Sequence, residues 1–405
     1  MNTQKSMRHF LTWKLFVLVL VSLMVLELVS RGVLHYVLGV EDNNYTHYYT
    51  NDRKLRMITW TEGLSAHPYF GYESPATRAS ETILSEASGE DFVIGILGGS
   101  VAGSFAQYAS RNPSHFELLR EVIPTFGKKR LRIVNLANGG YKQPQQYFVA
   151  TYFMDKLDFV INIDGFNDAS PGHFLPVYPL DFPALSAQFY GRANQGGMYP
   201  TIGRSARWIY KKMNDAPLSW KFPGLSRSGL YFITWYYMHD LLYRVVKVSE
   251  SAYYAKEFEV HQSEALRKTP PQEFMRRLIE IWKKYTILQD DVVRKRTGKP
   301  VVFFLQPNQY LKGSKPLSEE EKRIAIDPHR VEDTNEMMMS LRRAVQDLRH
   351  DGVPIFDLTG IFSNITETVY KDDCCHLNDL GNQIMADAVV SKIKLSQSLP
   401  QSSKH

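Results

Sequence analysis

Short apolar runs alternate with helix-like segments over much of this chain, and this alternation limits the possible folds more than any other feature. The runs lie at 92–97, 132–136, 158–163, 301–305 and 353–356. Each is too short for a buried helix and is typical of a strand covered on both sides. The pattern therefore predicts an α/β fold with a central five-stranded parallel sheet and helices on both faces.

Helices are predicted after these strands, at 101–109, 144–155, 335–349 and 379–393. Asn378 is a suitable N-cap for the last of them. Pro354 lies in the fifth run and indicates an edge strand, because proline cannot donate a ladder hydrogen bond. We assign 91–395 to one domain.

The alternation is interrupted at 171–300, which is predicted to be a mostly helical insertion. Aromatic residues are dense at 231–248, and apolar residues recur at helical spacing at 271–288. Three interpretations stay open for the aromatic part. It is a cap over a substrate pocket, an extra packed helical layer, or an amphipathic contact with a membrane.

The basic residues Lys5, Arg8 and Lys14 precede an apolar run from Leu15 to Leu26, and the segment Leu11 to Val29 is about long enough to cross a bilayer. Its length and flanking charge predict a transmembrane signal anchor within 1–40, with a short cytoplasmic stub and the remainder periplasmic or extracellular. A cleaved signal peptide and a buried core helix are the alternatives. Glu27 is the main objection to the anchor, since a charge inside a bilayer is costly.

The two segments that flank the domain are polar. We interpret 41–90 as a linker and lead-in and 396–405 as a disordered tail. The net charge of +6 and the pI near 9.0 come without a dense basic run or a nucleic-acid motif, so nucleic acid is not a predicted partner. The basic excess suits an anionic membrane surface or polymer.

The chain has only two cysteines, Cys374 and Cys375, and they are adjacent. This excludes a disulfide framework and is poor spacing for metal ligands. The pair either forms a vicinal disulfide or serves as small buried hydrophobes. The histidines show no metal-ligand spacing either. We predict no metal and no cofactor, and the oligomeric state is not indicated.

Residues with catalytic potential follow the strands. Ser100 comes directly after Gly98 and Gly99, where a strand should end and a helix begin. Its hydroxyl would be exposed at the carboxyl edge of the sheet, and its amide would lie at a helix N-terminus. Asn167 follows the third strand, where its side-chain amide could donate to an oxyanion. Ser100 as a plain helix cap and Asn167 as a turn former are the structural alternatives.

Two more positions complete the set. Gly140 follows the second strand, and its backbone amide can turn toward the site. His376 lies just before the last helix, with Asp373 three residues upstream. That spacing lets the carboxylate of Asp373 reach one imidazole nitrogen while the other faces a serine. The neighbouring Asp372 has a less suitable offset, and a surface Asp/His pair in a loop is the structural alternative.

These four elements, in this order, resemble the blocks of the SGNH hydrolases, also called GDSL esterases. The matching stretches are Gly98-Gly99-Ser100, Asn135-x-Ala137-x-x-Gly140, Gly165-x-Asn167-Asp168 and Asp373-x-x-His376. The sequence departs from the family at Gly99, where an aspartate is usual, and at Ala137, where a glycine is usual. It resembles a divergent branch, and the resemblance spans roughly 90–170 and 300–395.

The resemblance implies a flavodoxin-like three-layer fold and an acyl-serine intermediate. It implies a catalytic triad of Ser100, Asp373 and His376. It also implies an oxyanion hole built from the N–H groups of Ser100 and Gly140 and the side chain of Asn167.

We therefore expect a membrane-anchored serine ester hydrolase that acts outside the cytoplasm, with an acylated carbohydrate, a lipid or another small ester as its substrate. One alternative is an O-acyltransferase that modifies a cell-envelope polysaccharide with the same site. The other is a catalytically inactive binding module on the same fold.

Overall fold

A five-stranded parallel sheet forms the centre of this computed structural model, which describes residues 2–37, 64–169, 222–258 and 270–398 and a few positions between 205 and 213. The strands, in chain order, are β1 (Ser65–His67), β2 (Gly71–Glu73), β3 (Asp91–Gly98), β4 (Arg130–Asn135), β5 (Phe159–Asp164), β6 (Val301–Leu305) and β7 (Ile355–Asp357). The large sheet has the order β4-β3-β5-β6-β7, and all its neighbours are parallel. This is the flavodoxin-like strand order.

Burial explains why the strands are continuous apolar runs. Every residue of β3, β5 and β6 is buried, as expected for strands covered on both faces. β7 lies at the edge of the sheet, in agreement with the prediction from Pro354. The predicted α/β class with a five-stranded parallel sheet is confirmed.

The helices are α1 (Asn2–Tyr36), α2 (Pro75–Glu86), α3 (Ser100–Arg111), α4 (Ser114–Glu117), α5 (Gln145–Phe153), α6 (Phe166–Ala169), α7 (Gly229–Phe258), α8 (Pro271–Asp290), α9 (Glu319–Ile324), α10 (Val331–His350) and α11 (Asp379–Ser398). Right-handed crossovers on either side of β3 place α3 and α5 on opposite faces. Accordingly, α11 contacts α3, while α8 contacts α5 and α10. The sheet therefore lies between two helical layers.

The segment predicted as a lead-in contains regular structure that the sequence did not indicate. β1 and β2 form a hairpin, and α2 follows it. α2 is joined to β4 through a polar side chain: Ser80 Oγ accepts from the N–H of Asn135 at 2.9 Å and donates to its carbonyl at 3.0 Å. Because α2 buries Thr77 and Ser80 beside Leu84, it lacks a clear apolar stripe.

The chain divides into two compact units, and the predicted insertion is split between them. One unit contains Thr61–Gly196 and Lys256–His405, including the sheet; the other contains Met1–Trp60 and Gly197–Ala255. α8 belongs to the sheet unit, where Trp282 is fully buried, so this part is a packed layer. The stretches 38–63, 170–204 and 259–269 lie outside the described residues.

In the other unit, α1 contains one stretch, Trp13–Tyr36, that is long and apolar enough to cross a membrane. Its apolar side chains are largely exposed, with Leu18 at 62% and Met24 at 69%. Such exposure does not fit the alternative of a buried core helix. This helix could anchor the chain in a membrane.

Glu27 is not an isolated charge in α1. Its carboxylate accepts hydrogen bonds from the N–H groups of Gly229 and Leu230, each at 2.9 Å, and from Ser228 Oγ at 2.8 Å. Arg31 Nε donates to it at 2.8 Å. Glu27 therefore satisfies amides at the start of α7, next to a small cluster of Leu34, Phe232 and Trp235.

The last helix is longer than predicted. α11 extends to Ser398, so residues 396–398 of the predicted disordered tail are helical. Residues 399–405 lie outside the described residues. Asn378 Oδ1 accepts from the N–H of Gly381 at 2.9 Å, which agrees with the predicted N-cap.

Candidate active site

Ser100 is the first residue of α3, immediately after the turn that follows β3. Gly98 has a φ of +140°, and a Cβ placed on it would lie 1.9 Å from the carbonyl oxygen of Ile163. Only glycine fits there. The turn thus delivers the Ser100 hydroxyl to the carboxyl edge of the sheet, with its amide at the N-terminus of α3.

His376 lies beside this serine although 276 positions separate them in the chain. Its Nε2 is 2.7 Å from Ser100 Oγ, and its Nδ1 is 2.7 Å from Asp372 Oδ2. The imidazole is almost fully buried, with 4% of His376 exposed. A hydroxyl, an imidazole and a carboxylate therefore form a continuous hydrogen-bonded chain, as a nucleophile, a base and an orienting acid require.

The carboxylate in this chain belongs to Asp372, and the expectation that Asp373 would meet His376 is wrong. Asp372 Oδ1 accepts from the backbone N–H groups of Cys374, Cys375 and His376 at 3.1, 3.3 and 3.3 Å. This turn directs its other oxygen to the imidazole. The backbone carbonyl of Asp373 instead accepts from the Tyr310 hydroxyl at 2.7 Å.

The same contacts set the ionisation of Asp372. Burial alone would raise its pKa, but hydrogen bonds from His376 and from the backbone N–H groups outweigh burial and lower the pKa to about 2. Asp372 is consequently ionised at neutral pH. It can hold the imidazole in one tautomer and stabilise an imidazolium.

A buried ion pair holds the base of the loop that carries Asp372 and His376. An antiparallel bridge joins Tyr370 and Leu377 on either side of the loop. Glu321, on α9, accepts from the N–H groups of Val369 and Tyr370 at 2.9 and 3.0 Å. Its other oxygen is 2.8 Å from Lys315 Nζ, and both side chains are fully buried. The loop is thus fixed to α9 by charge-assisted bonds.

Asn167 lies against the turn that carries Ser100. Its Nδ2 donates to the carbonyl of Tyr141 at 3.0 Å. A Cβ placed on Gly99 would be 2.3 Å from this nitrogen. Because Gly99 has no side chain, the amide of Asn167 can lie close to the backbone of Gly99, directly beside Ser100.

Gly140 lies in the loop after β4 with a φ of +74°, a conformation that favours glycine. Within the described part of the chain, the N–H groups of Gly140 and Ser100 donate to no acceptor. Both are available to a developing negative charge. Gly140 also neighbours Tyr141, whose carbonyl meets Asn167.

Asp168 connects the two loops that carry Gly140 and Asn167, a role that was not predicted from the sequence. It accepts from the N–H of Gln143 at 2.6 Å and from the N–H of Gly165 at 3.1 Å. Burial raises its pKa to about 6, while these N–H groups and the nearby Lys142 act in the opposite direction. The acidic residue that follows Asn167 in the motif was the available signal.

The hairpin and α2 support the Gly140 loop from outside. The Tyr72 hydroxyl donates to the carbonyl of Gly139 at 2.8 Å. Asn138 Oδ1 accepts from the N–H of Ser74 at 2.9 Å and from Thr77 Oγ1 at 3.1 Å. The unpredicted segment thus positions one of the candidate oxyanion donors.

Cys374 and Cys375 are free thiols with their sulfurs 3.1 Å apart. Cys375 is buried, and burial together with the neighbouring Cys374 raises its thiol pKa well above the usual value. A protonated, buried thiol is a poor nucleophile. Ser100 is the better-placed nucleophile in this site.

Two groups of side chains in the described residues have metal-ligating atoms within 4.8 Å of one another. The first group is Cys374, Cys375 and His376. Both imidazole nitrogens of His376 are already hydrogen-bonded, one to Ser100 and the other to Asp372. The second is His67, Glu73 and Glu81. Arg78 Nη1 is 3.4 Å from Glu73 Oε1, and the N–H of Tyr69 donates to His67 at 3.3 Å, so two of its three ligands are already engaged.

No protein-family model matches the chain. No curated protein sequence matches it either. Among solved structures it is similar to the acetyl xylan esterase AlAXEase, with 14% identity, a TM-score of 0.31 and coverage of 76% of this chain and 99% of the esterase. It is also similar to LAE5, an alpha/beta hydrolase enzyme from the metagenome of Lake Arreo, Spain, with 15% identity, a TM-score of 0.31 and coverage of 76% and 95%. Likenesses this distant do not assign a reaction or a substrate.

Proposed function

We propose that this chain is a membrane-anchored serine ester hydrolase that acts outside the cytoplasm through an acyl-serine intermediate. The observation that carries the proposal is the chain of hydrogen bonds from Ser100 through His376 to Asp372. Its substrate is an acylated carbohydrate, a lipid or another small ester, and the chemistry needs no cofactor.

In the first half of the reaction, Ser100 Oγ attacks the ester carbonyl and His376 Nε2 takes the hydroxyl proton. The ionised Asp372 holds the imidazolium that results. The negative charge on the former carbonyl oxygen is met by the N–H groups of Ser100 and Gly140 and by the side chain of Asn167. The tetrahedral intermediate then breaks, and His376 returns the proton to the leaving alcohol.

In the second half, a water molecule attacks the acyl-serine while His376 removes a proton from that water. Collapse of the second tetrahedral intermediate releases the carboxylic acid and gives the proton back to Ser100. Each turnover thus consumes one ester and one water and leaves the enzyme unchanged.

We also propose that the chain is a divergent SGNH hydrolase. The motifs around Ser100, Gly140, Asn167 and His376 support this, together with the flavodoxin-like strand order. Besides Ala137, one departure from the family lies in the acid, which is four residues before His376 here instead of three. The glycine at position 99 is a second departure and leaves room for Asn167.

A fluorophosphonate probe tests the nucleophile directly, because it reacts only with an activated serine. The full chain in detergent micelles should be labelled on the peptide that contains Ser100, as located by mass spectrometry. Ser100→Ala and His376→Ala should abolish labelling and hydrolysis of p-nitrophenyl acetate. Asn167→Ala should slow hydrolysis on the order of 100-fold.

Ser104→Ala is the matched control, since Ser104 is half-buried one turn further along α3. It should be labelled like the wild-type chain. Undiminished labelling of Ser100→Ala would contradict the assigned nucleophile. A wild-type chain that is folded but never labelled would favour an inactive binding module.

An oligosaccharide acceptor distinguishes hydrolysis from transfer to a sugar hydroxyl. We expect release of free acid to continue at the same rate when the acceptor is added. Appearance of the acylated oligosaccharide, at the expense of free acid, would instead identify an O-acyltransferase that uses the same acyl-serine.

A further inference from the structure

The two cysteines of the chain lie inside the loop that carries the candidate acid and base. Their sulfurs are 3.1 Å apart, Cys375 is buried and Cys374 is half-buried. The chain contains no other cysteine. Any disulfide within one molecule must therefore join these adjacent residues.

The backbone of this pair is what holds Asp372. The N–H groups of Cys374 and Cys375 supply two of the three backbone bonds to Asp372 Oδ1. The third comes from His376. A change in the peptide unit between the cysteines must therefore alter the support of the acid.

We propose that Cys374 and Cys375 are a reversible thiol-oxidation site whose oxidation disables the acid–base loop. The oxidant class is a small disulfide such as oxidised glutathione. The reactive form of Cys374 attacks one glutathione sulfur, and the other glutathione leaves as a thiolate. Burial keeps the Cys375 thiol mostly protonated, but its sulfur lies 3.1 Å from that of Cys374, so the second attack is intramolecular and needs only a small deprotonated fraction. The Cys375 sulfur loses its proton, attacks the sulfur of Cys374, and expels the second glutathione. The pair loses two hydrogen atoms, and one oxidised glutathione becomes two reduced ones.

Covalent geometry explains why closing this bond moves the backbone. Adjacent Cα atoms are about 3.8 Å apart across a trans peptide, whereas disulfides usually span about 4.4–6.8 Å between Cα atoms. The sulfurs must also approach to about 2.0 Å. Because the Cα–Cα distance across one peptide bond is fixed, the ring closes through changes in the backbone torsions on either side of that bond. These changes reorient the N–H of Cys375, which is one of the donors to Asp372. Strained disulfides are readily reduced, so a reductant should restore the loop.

The test compares reduced and oxidised full-length chain in detergent micelles. Oxidised glutathione should remove two hydrogens from the peptide that contains Cys374 and Cys375, as measured by mass spectrometry without reduction. The rate of fluorophosphonate labelling at Ser100 should fall roughly 10-fold or more, since loss of a correctly placed acid slows such sites strongly. Dithiothreitol should reverse both changes.

Cys374→Ser and Cys375→Ser serve as variants that cannot form the bond. For each variant the ratio of labelling rates before and after oxidant should be close to one, whatever its basal rate. Intermolecular disulfides on a non-reducing gel, or a glutathione adduct that persists on one cysteine, would overturn the proposal. So would an oxidised pair with an unchanged labelling rate.

The activity readout rests on the proposed function, but the mass readout does not. Absence of labelling in both redox states would count against the hydrolase proposal. Absence of the vicinal disulfide in a chain that is labelled would count against the thiol-oxidation site alone.

Discussion

Asp372 is held by three backbone N–H groups as well as by His376, and its ionised form should therefore stabilise the folded protein. Its pKa falls from the ordinary 3.8 to about 2 on folding. A lowered pKa contributes stability that is present above pH 4 and is lost as the pH falls toward 2. The contribution should be roughly 2 kcal/mol in the free energy of unfolding.

We predict that Asp372→Asn removes this pH-dependent part. The difference in free energy of unfolding between wild type and variant, measured with urea from pH 6 to pH 2.5, should shrink as the pH falls.

Asp372→Asn should also lower kcat by roughly 10³–10⁴-fold, because the imidazole loses its orienting charge. Asp373→Asn should keep most of the activity. The reverse ranking of the two variants would show that Asp373 is the functional acid.

Substitution of Gly99 tests whether the side chain of Asn167 must lie close to the turn that carries Ser100. In Gly99→Ala the new methyl group would meet Asn167 Nδ2 at 2.3 Å, so the amide must move away. We expect kcat for p-nitrophenyl acetate to fall on the order of 100-fold, as for loss of an oxyanion donor, with little change in KM.

Gly103→Ala is the control, because a Cβ there would meet its nearest neighbour at an ordinary 3.7 Å. It lies one turn further along α3, and alanine should favour the helix by about 0.5–1 kcal/mol. Equal losses of activity in both variants would point to damage to α3 in general and would contradict the role assigned to Gly99.

For individual residues, the sequence predicted which side chains lie at the candidate site better than it predicted which of them contact each other. Ser100, Asn167 and His376 were predicted as candidates because each follows or precedes a regular element at one edge of the sheet, and the structure brings Ser100 and His376 into contact. The choice between Asp372 and Asp373 was not predictable from spacing. It depends on backbone N–H groups in an irregular turn, whose directions no periodic pattern encodes. The same holds for Asp168, which acts through two amides far apart in the chain.

Among the secondary-structure elements, α9 supports the loop that carries Asp372 and His376, through Glu321. Burial would raise the pKa of Glu321, but Lys315 and backbone N–H groups lower it overall. We predict that Glu321→Gln lowers the free energy of unfolding by about 3 kcal/mol, because it leaves Lys315 buried without its partner. Thermal and urea unfolding would measure this loss.

Glu319→Gln on the same helix is the matched control. Its carboxylate is 90% exposed and pairs with Lys322 at the surface, so the expected change is below about 1 kcal/mol. A similarly small effect for Glu321→Gln would mean that the loop does not depend on this ion pair for its stability.

The N-terminus of α7 depends on Glu27, which accepts hydrogen bonds from the first backbone N–H groups of this helix. Glu27→Ala should leave the amides of Gly229 and Leu230 without acceptors and cost roughly 1 kcal/mol, as for loss of an N-cap. Hydrogen exchange at these amides, measured in micelles, should become several-fold faster. Asp240→Asn, about three turns along α7, is the control and should leave the exchange rate of these amides unchanged. If Glu27→Ala also left that rate unchanged, Glu27 would not cap α7.

The predictable elements were those with a simple apolar pattern. β3, β5 and β6 are buried on both faces, so their sequences are continuous apolar runs with clear ends. The three-residue strands of the hairpin are too short to show a period. α2 buries hydroxyl groups that bond to β4, and α9 has six residues of which five are charged. Such elements are stabilised by specific polar contacts, which sequence periodicity does not reveal.

For the molecule as a whole, we predict that α1 retains the chain in membranes. An alkaline carbonate wash should leave the protein in the membrane pellet. Leu18→Arg with Leu20→Arg should release much of it, because each charge near the centre of a span costs about 2.5–3.5 kcal/mol. Leu18→Ala with Leu20→Ala is the matched control and should stay in the pellet; equal release of both pairs would contradict a spanning α1.

The distance of 276 positions between Ser100 and His376 has a consequence for biosynthesis. The serine turn emerges from the ribosome first, and the imidazole follows only after another 276 positions have been translated. Until the imidazole has been made, a nascent chain therefore carries an ordinary, unreactive alcohol at position 100. If the serine is the nucleophile, the protein cannot attack cellular esters until the segment that carries His376 has folded into place.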